Sequence, residues 1–189
     1  MNKRYQRIKR FLRFYLAVQQ LRIKPYLNMI LGIILMGFIE FWKNKEQFYI
    51  HAPKFILPFL RGVVQIIGIS FFALLTIGAV YMIGVLTARH DEIDLEIAFK
   101  KCDLSSCYPI LMQKRTDKET GVTRREFYSY IPMNRWVDNR DAIADSMNIH
   151  FVKPDIKYGG RKKANGKRIV LYTAKGRLQS ERGIMYDEE

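Results

Sequence analysis

Gly62 to Thr87 reads GVVQIIGISFFALLTIGAVYMIGVLT, an unbroken run without a formal charge. At ~1.5 Å of rise per residue such a helix is about 39 Å long, enough to cross a ~30 Å hydrocarbon core with tilt to spare. Gln65, Ser70, Thr76 and Thr87 are its polar relief. A core helix of a soluble domain seldom needs so long an apolar run, so the sequence predicts a membrane-anchored chain. Its function then lies in what the anchor holds at the surface.

Toward the N-terminus, Tyr26 to Trp42 (YLNMILGIILMGFIEFW) is a second apolar segment. It is about 26 Å long as a helix, a short span, with Tyr26 and Trp42 at the ends where amphipathic rings favour the interface. An interfacial or re-entrant helix is the alternative. A cleaved signal peptide is disfavoured by the long basic region before it and by the lack of an A-x-A-like site after Trp42. Residues 25–90 thus predict a two-span helical hairpin, spans 26–42 and 62–87, closed by the loop Lys43 to Arg61.

Basic residues orient it. Residues 1–24 carry Lys3, Arg4, Arg7, Lys9, Arg10, Arg13, Arg22 and Lys24 with no acid, whereas the loop carries Lys43, Lys45, Lys54 and Arg61 against Glu46. The positive-inside bias predicts a cell-membrane protein with both termini cytoplasmic. Gly68, Gly78 and Gly84 permit close helix approach, within the hairpin or between protomers.

Residues 1–24 also read as a basic amphipathic arm. Ile8, Phe11, Leu12, Tyr15 and Val18 recur at helical spacing, while Lys3, Arg7 and Arg10 gather on another face. That pattern predicts a helix lying among anionic headgroups, with Lys3, Arg7 and Arg10 as lipid-binding residues, ending before Pro25. A nucleic-acid-binding arm is the alternative, weakened by the density of aromatic and aliphatic residues.

The formal charge of +14 falls in two blocks, the arm and the segment after Val152. Between them, from Asp91 to Val152, acids slightly exceed bases, and the chain closes on Asp187-Glu188-Glu189. Residues 91–189 suffice for one small cytoplasmic α+β domain. Its pattern is αββαββ: a helix through Asp91–Phe99, strands over Tyr108–Arg115 and Val122–Ile131 around an Asp117–Gly121 turn, and a helix after Pro132 burying Trp136, Ile143 and Met147. Strands over Ile149–Val152 and Arg168–Thr173 follow, flanking the loop Gly159 to Lys167. Two helices on one face of a four-stranded, mainly antiparallel sheet make the economical two-layer packing.

No catalytic constellation emerges. A phosphate loop needs four residues between its glycines, then Lys and Ser/Thr leading into a helix. Five residues separate Gly160 from Gly166, Arg168 stands where the hydroxyl belongs, and a strand pattern follows. Cys102 and Cys107 have only His51, His90 and His150 as further ligands, with His51 expected across the membrane; they read as small thiols rather than a metal site. Ser105-Ser106 lacks an adjacent base and reads as a turn. The expectation is a non-enzymatic chain with no cofactor and no metal. The chemistry left is the basic strand pair, where Arg161, Lys162, Lys163, Lys167 and Arg168 are the nucleic-acid-binding candidates and Tyr158 and Tyr172 candidate stacking or packing rings. A solvated loop, or one facing anionic lipid, is the alternative.

These residues carry a resemblance. Two spans, a short αββαββ domain, Tyr130-Ile131-Pro132 leading to Trp136 and Asp141-Ala142-Ile143-Ala144-Asp145-Ser146-Met147-Asn148, then Arg168-Ile169-Val170-Leu171-Tyr172 and Arg182-Gly183-Ile184-Met185-Tyr186-Asp187, resemble the N-terminal region of FtsK/SpoIIIE-type DNA translocases. Within that group the chain looks like the TcpA-like conjugative coupling ATPases of Gram-positive mobile elements. The resemblance implies a DNA-transfer role, self-association and a translocating ATPase or relaxase complex as partner. The family's Walker-bearing motor domain would begin where this chain stops, so no catalytic residue carries over. A membrane scaffold that recruits protein or anionic lipid without nucleic acid is the competing expectation.

Overall fold

The computed structural model describes residues 3–49, 53–99, 108–160 and 165–176. Two compact units divide the chain: Ala17–Thr87, and Met1–Leu16 together with Ala88–Glu189. The helices are α1 (Lys3–Ile23), α2 (Asn28–Asn44), α3 (Leu57–Ala98), α4 (Met133–Asp138) and α5 (Arg140–Met147); the strands are β1 (Ile110–Thr116), β2 (Thr123–Tyr128), β3 (Ile149–Gly159) and β4 (Asn165–Lys175).

In the first unit the apolar helices leave their side chains bare. No residue of α2 is buried, and Met29, Ile33, Met36, Ile66, Ile67 and Leu74 are each more than 60% exposed. Monomeric soluble proteins rarely expose contiguous apolar patches larger than a few hundred Å². Pro25–Tyr49 and Leu57–Ala98 are long and apolar enough to cross a membrane. The two helices meet through rings: Phe38 stands edge-on to Phe72 at 5.3 Å and Phe41 lies 5.8 Å from it. A Cβ at Gly68 would come within 2.3 Å of the Phe41 ring, so glycine is what permits this approach. Gly78 faces open space instead, and Gly84 is buried.

The second unit centres on an antiparallel sheet of order β1-β2-β4-β3. One face meets α4, α5 and the last turns of α3 through Leu95, Phe99, Leu111, Phe127, Trp136, Ile143, Ile169 and Leu171. Trp136 is fully buried, with Phe99 edge-on at 5.0 Å and Phe127 at 5.7 Å. The expected single second helix is broken in two at Asn139. The expected stripe divides with it: Trp136 and Ile143 are buried, Met147 packs at the margin, and Val137 is 52% exposed. Asn148 closes α5 in the left-handed region at φ 50°, a conformation asparagine tolerates.

Four expectations need correction. The Asp91–Phe99 stretch is not a separate helix with acids in its first turn, because α3 runs unbroken from Leu57 to Ala98. Asp91 and Glu92 sit inside that helix and bind partners across the fold. The domain is not two-layered, since α1 covers part of the sheet's other face: Tyr5 and Leu12 are buried against Ile110 and Met112, and Ile8 and Tyr128 pack around them. Residues 1–24 carry the expected helix, α1, which ends before Pro25, but Met1–Leu16 groups with the sheet-bearing unit rather than standing as an arm of its own. The predicted apolar stripe splits, with Ile8 and Leu12 facing the sheet while Phe11, Tyr15 and Val18 stay exposed. The last hairpin is longer than expected. β3 runs on to Gly159 and β4 starts at Asn165, which puts Lys167 in a strand rather than in the loop, while Arg168 is in a strand as expected.

Candidate nucleic-acid interface

Strand alternation sorts the basic residues of the sheet onto two faces. On β2, Arg125 and Phe127 point to the core side, and Arg124, Glu126 and Tyr128 to the other. Cross-strand register extends the assignment: Arg115 lies opposite Arg124, Gln113 opposite Glu126, and Tyr128 opposite Arg168. Val170 lies opposite both Glu126 and Lys157.

On the core side the cations are neutralised. Asp91, 4% exposed, accepts from Lys114 Nζ at 2.8 Å and from Arg125 Nε at 3.4 Å. Arg125 also donates to the Thr173 hydroxyl, which donates in turn to the Thr123 carbonyl at 3.2 Å. One helical turn along α3, burial pushes the Asp94 carboxyl up from its ordinary range, against the opposing pull of His90. Glu92 binds the β1 edge through the Leu111 N–H at 3.0 Å and pairs with Arg13, which is almost fully buried, with Lys9 Nζ at 3.9 Å. These contacts fasten the end of α3 to the sheet and to α1.

On the opposite face Glu126 is paired with Arg124 and Arg168, and the register puts Arg115 and Lys157 on the same face. The carboxylate is buried, its side chain 7% exposed, and pairs with Arg124 at 3.2 Å and Arg168 at 3.5 Å; those two arginines remain about 40% exposed. Gly159 leaves room for it, since a Cβ there would come within 2.9 Å of Glu126 Oε1. Directly opposed like charges such as Arg115 and Arg124 destabilise a sheet unless something else compensates. A face with four cations and one buried acid carries surplus positive charge and can hold anions.

The sequence-predicted residues fare differently. Arg168 belongs to this cluster. Lys167, its neighbour in a strand, lies on the other side of the pleat and sits 5.2 Å over the Tyr130 ring. Arg161, Lys162 and Lys163 lie outside the described residues, as do Cys102, Cys107, His51 and the Ser105-Ser106 pair. Tyr172 shares the arginine-bearing face as partner of Arg124, whereas Tyr158, paired with Ile169, does not. Lys3, Arg7 and Arg10 are exposed on α1. Arg115, Arg124 and Lys157 were missed, although one signal was available. The Asp117–Gly121 turn, with Gly121 at φ 69°, sets the hairpin register that puts Arg115 opposite Arg124. The Thr120 hydroxyl and the Glu119 N–H bind the Asp117 carboxylate in that turn and hold it below its usual range.

No family model matches the chain, and no curated protein does. Among solved structures it is similar to the pCW3 conjugation coupling protein TcpA, in its monomer form with ATPγS. The TM-score is 0.38 and the identity 24%, over 46% of this chain and 23% of that one. The likeness therefore takes in less than a quarter of that protein's length.

Proposed function

We propose that this chain is a non-enzymatic membrane anchor and adaptor for DNA transfer of the conjugation type, acting as the N-terminal part or the partner of a translocating ATPase. The observation that carries it is a sheet face that bears four cations and one buried acid, in a chain whose two long apolar helices are bare. The resemblance of the sequence to the anchoring region of FtsK/SpoIIIE-type translocases supplies the direction. The helices tether the chain in the cell membrane with both termini cytoplasmic. The sheet domain makes subunit contacts and lays its arginines on phosphates, with Arg161, Lys162, Lys163 and Lys167 as further basic candidates.

A second reading has its own support. Phe11, Tyr15 and Val18 stand exposed on α1 together with Lys3, Arg7 and Arg10, a combination that also suits anionic headgroups. On that reading the chain is a scaffold for lipid or protein and never meets nucleic acid.

Electrophoretic retention of DNA by the full chain in neutral-lipid nanodiscs, beside flotation with anionic vesicles, separates the two. Retained DNA supports the adaptor; flotation without retention supports the scaffold. Topology has a separate check in a variant lacking Cys102 and Cys107. An external thiol reagent should reach a cysteine placed at Gln47 and miss one at Ser180, and labelling at Ser180 would overturn the hairpin. Mg²⁺-dependent nucleotide binding lost in Lys167→Ala would contradict the non-enzymatic assignment.

A further inference from the structure

Between α1 and the arginine-bearing face lies a hollow of about 220 Å³. Phe11, Leu12 and Tyr15 form its helix side, and Met112, Gln113, Glu126 and Arg168 its sheet side. We propose that this hollow receives a single unpaired nucleobase, so that the nucleic acid this face takes is single-stranded. The inference rests on the nucleic-acid function proposed above and names the form of the ligand.

Size and composition point the same way. The hollow is smaller than the ~300–1,000 Å³ of pockets that enclose drug-sized molecules, and suits one ring system. Phe11 and Tyr15 are one helical turn apart and neighbours on α1, yet they are 69% and 52% exposed. Rings held in water beside a cationic sheet are stacking platforms, and stacking accepts any base because every base has a π-face. The sheet side adds polar partners: the Gln113 amide both donates and accepts, and the Arg168 guanidinium donates. Arg168 lines the hollow and belongs to the phosphate-facing cluster, so a base seated here keeps its own backbone beside Arg124 and Arg115.

Other occupants fit less well. Arg124 and Arg168 outnumber Glu126, which disfavours a lone cation. An acyl chain would desolvate Arg168 and Glu126 without offering a hydrogen bond to either. Bases in a duplex are stacked and paired, and enter a pocket only after extrusion.

The test is fluorescence anisotropy of the full chain in detergent micelles, with a labelled oligonucleotide of mixed sequence and the same strand annealed to its complement, at one salt concentration. Single-strand binding should exceed duplex binding. Phe11→Ala with Tyr15→Ala should weaken it on the order of tenfold or more and leave duplex binding unchanged. Both rings are exposed, so the fold should survive, and the conservative pair Phe11→Tyr with Tyr15→Phe should retain affinity. Equal loss for both forms, or no loss for either, overturns the pocket. So does intact oligonucleotide binding with vesicle flotation lost, which would make the rings lipid anchors. Duplex bound as well as single strand overturns the pocket and leaves the arginine face standing; binding of neither overturns the DNA function too.

Discussion

The two faces of the sheet treat arginine in opposite ways. On the core face Lys114 and Arg125 share Asp91, and Arg125 takes Thr173 as a further partner. The other face carries Arg115, Arg124, Lys157 and Arg168, of which Arg124 and Arg168 share Glu126 and remain about 40% exposed while paired. Arg124 and Arg125 are adjacent in sequence, so composition does not distinguish them. The pleat does: one side chain goes into a neutralised, desolvated network that holds α3, the other onto a surface with spare positive charge. Buried cations need partners to fold, whereas exposed ones left in excess offer themselves to a ligand.

The contrast can be broken most severely from the core side. Trp136→Ala removes a fully buried ring between Phe99 and Phe127, and should cost about 3–5 kcal/mol, enough to unfold a small domain by thermal melting. Trp136→Phe should cost much less, because the indole N–H has no partner among the described residues and its loss removes an unsatisfied donor. An unchanged melting temperature in the alanine variant would place Trp136 outside the core.

Asp91→Ala comes next. It leaves Arg125 and Lys114 without their acid in a largely desolvated site, and should cost about 3 kcal/mol. A denaturation midpoint within error of the parent would mean the network is not holding α3. Leu12→Ala opens a cavity over Ile110 and Met112, and should cost about 2–3 kcal/mol. A chain beginning at Asp91 should likewise be less stable than the full chain, since it lacks Tyr5, Leu12 and Leu16. Should that truncation melt at the parent's temperature, α1 would not be part of the domain. Smallest of all in stability, Arg115→Gln should shift the midpoint by under about 0.5 kcal/mol or raise it slightly, because it relieves an opposed pair of like charges. Its effect belongs to binding.

Much of this was legible in the sequence. The charge-free run from Gly62 and the segment from Tyr26 announce the two apolar helices. The Asp117–Gly121 turn and the Trp136–Ile143 pair locate a hairpin and a buried helical face. Three features were hidden for physical reasons. The continuity of α3 past Thr87 was masked because the acids at Asp91 and Glu92 mimic a helix start, when they are instead partners for Lys114, Arg125 and Arg13. The docking of α1 was masked because Leu12 and Phe11 are equally apolar, and only tertiary contact decides which faces the sheet. The candidate site shifted for a third reason. Arg161 to Arg168 reads as one basic cluster along the chain, but strand alternation sends Lys167 and Arg168 apart and gathers Arg168 with Arg115, Arg124 and Lys157 from other strands.

The central claim is that the surplus cations of one sheet face meet phosphates, and the salt dependence of DNA binding tests it most directly. Counterion release gives a log–log slope of about −0.9 per phosphate contacted on duplex DNA and about −0.7 on single strands. The full chain carrying Arg115→Gln, Arg124→Gln and Lys157→Gln together should therefore flatten the slope by roughly 2 to 3 relative to the parent, with the fold retained. A parent slope that survives the triple substitution unchanged, or a parent chain that retains no DNA at low salt, would contradict the account.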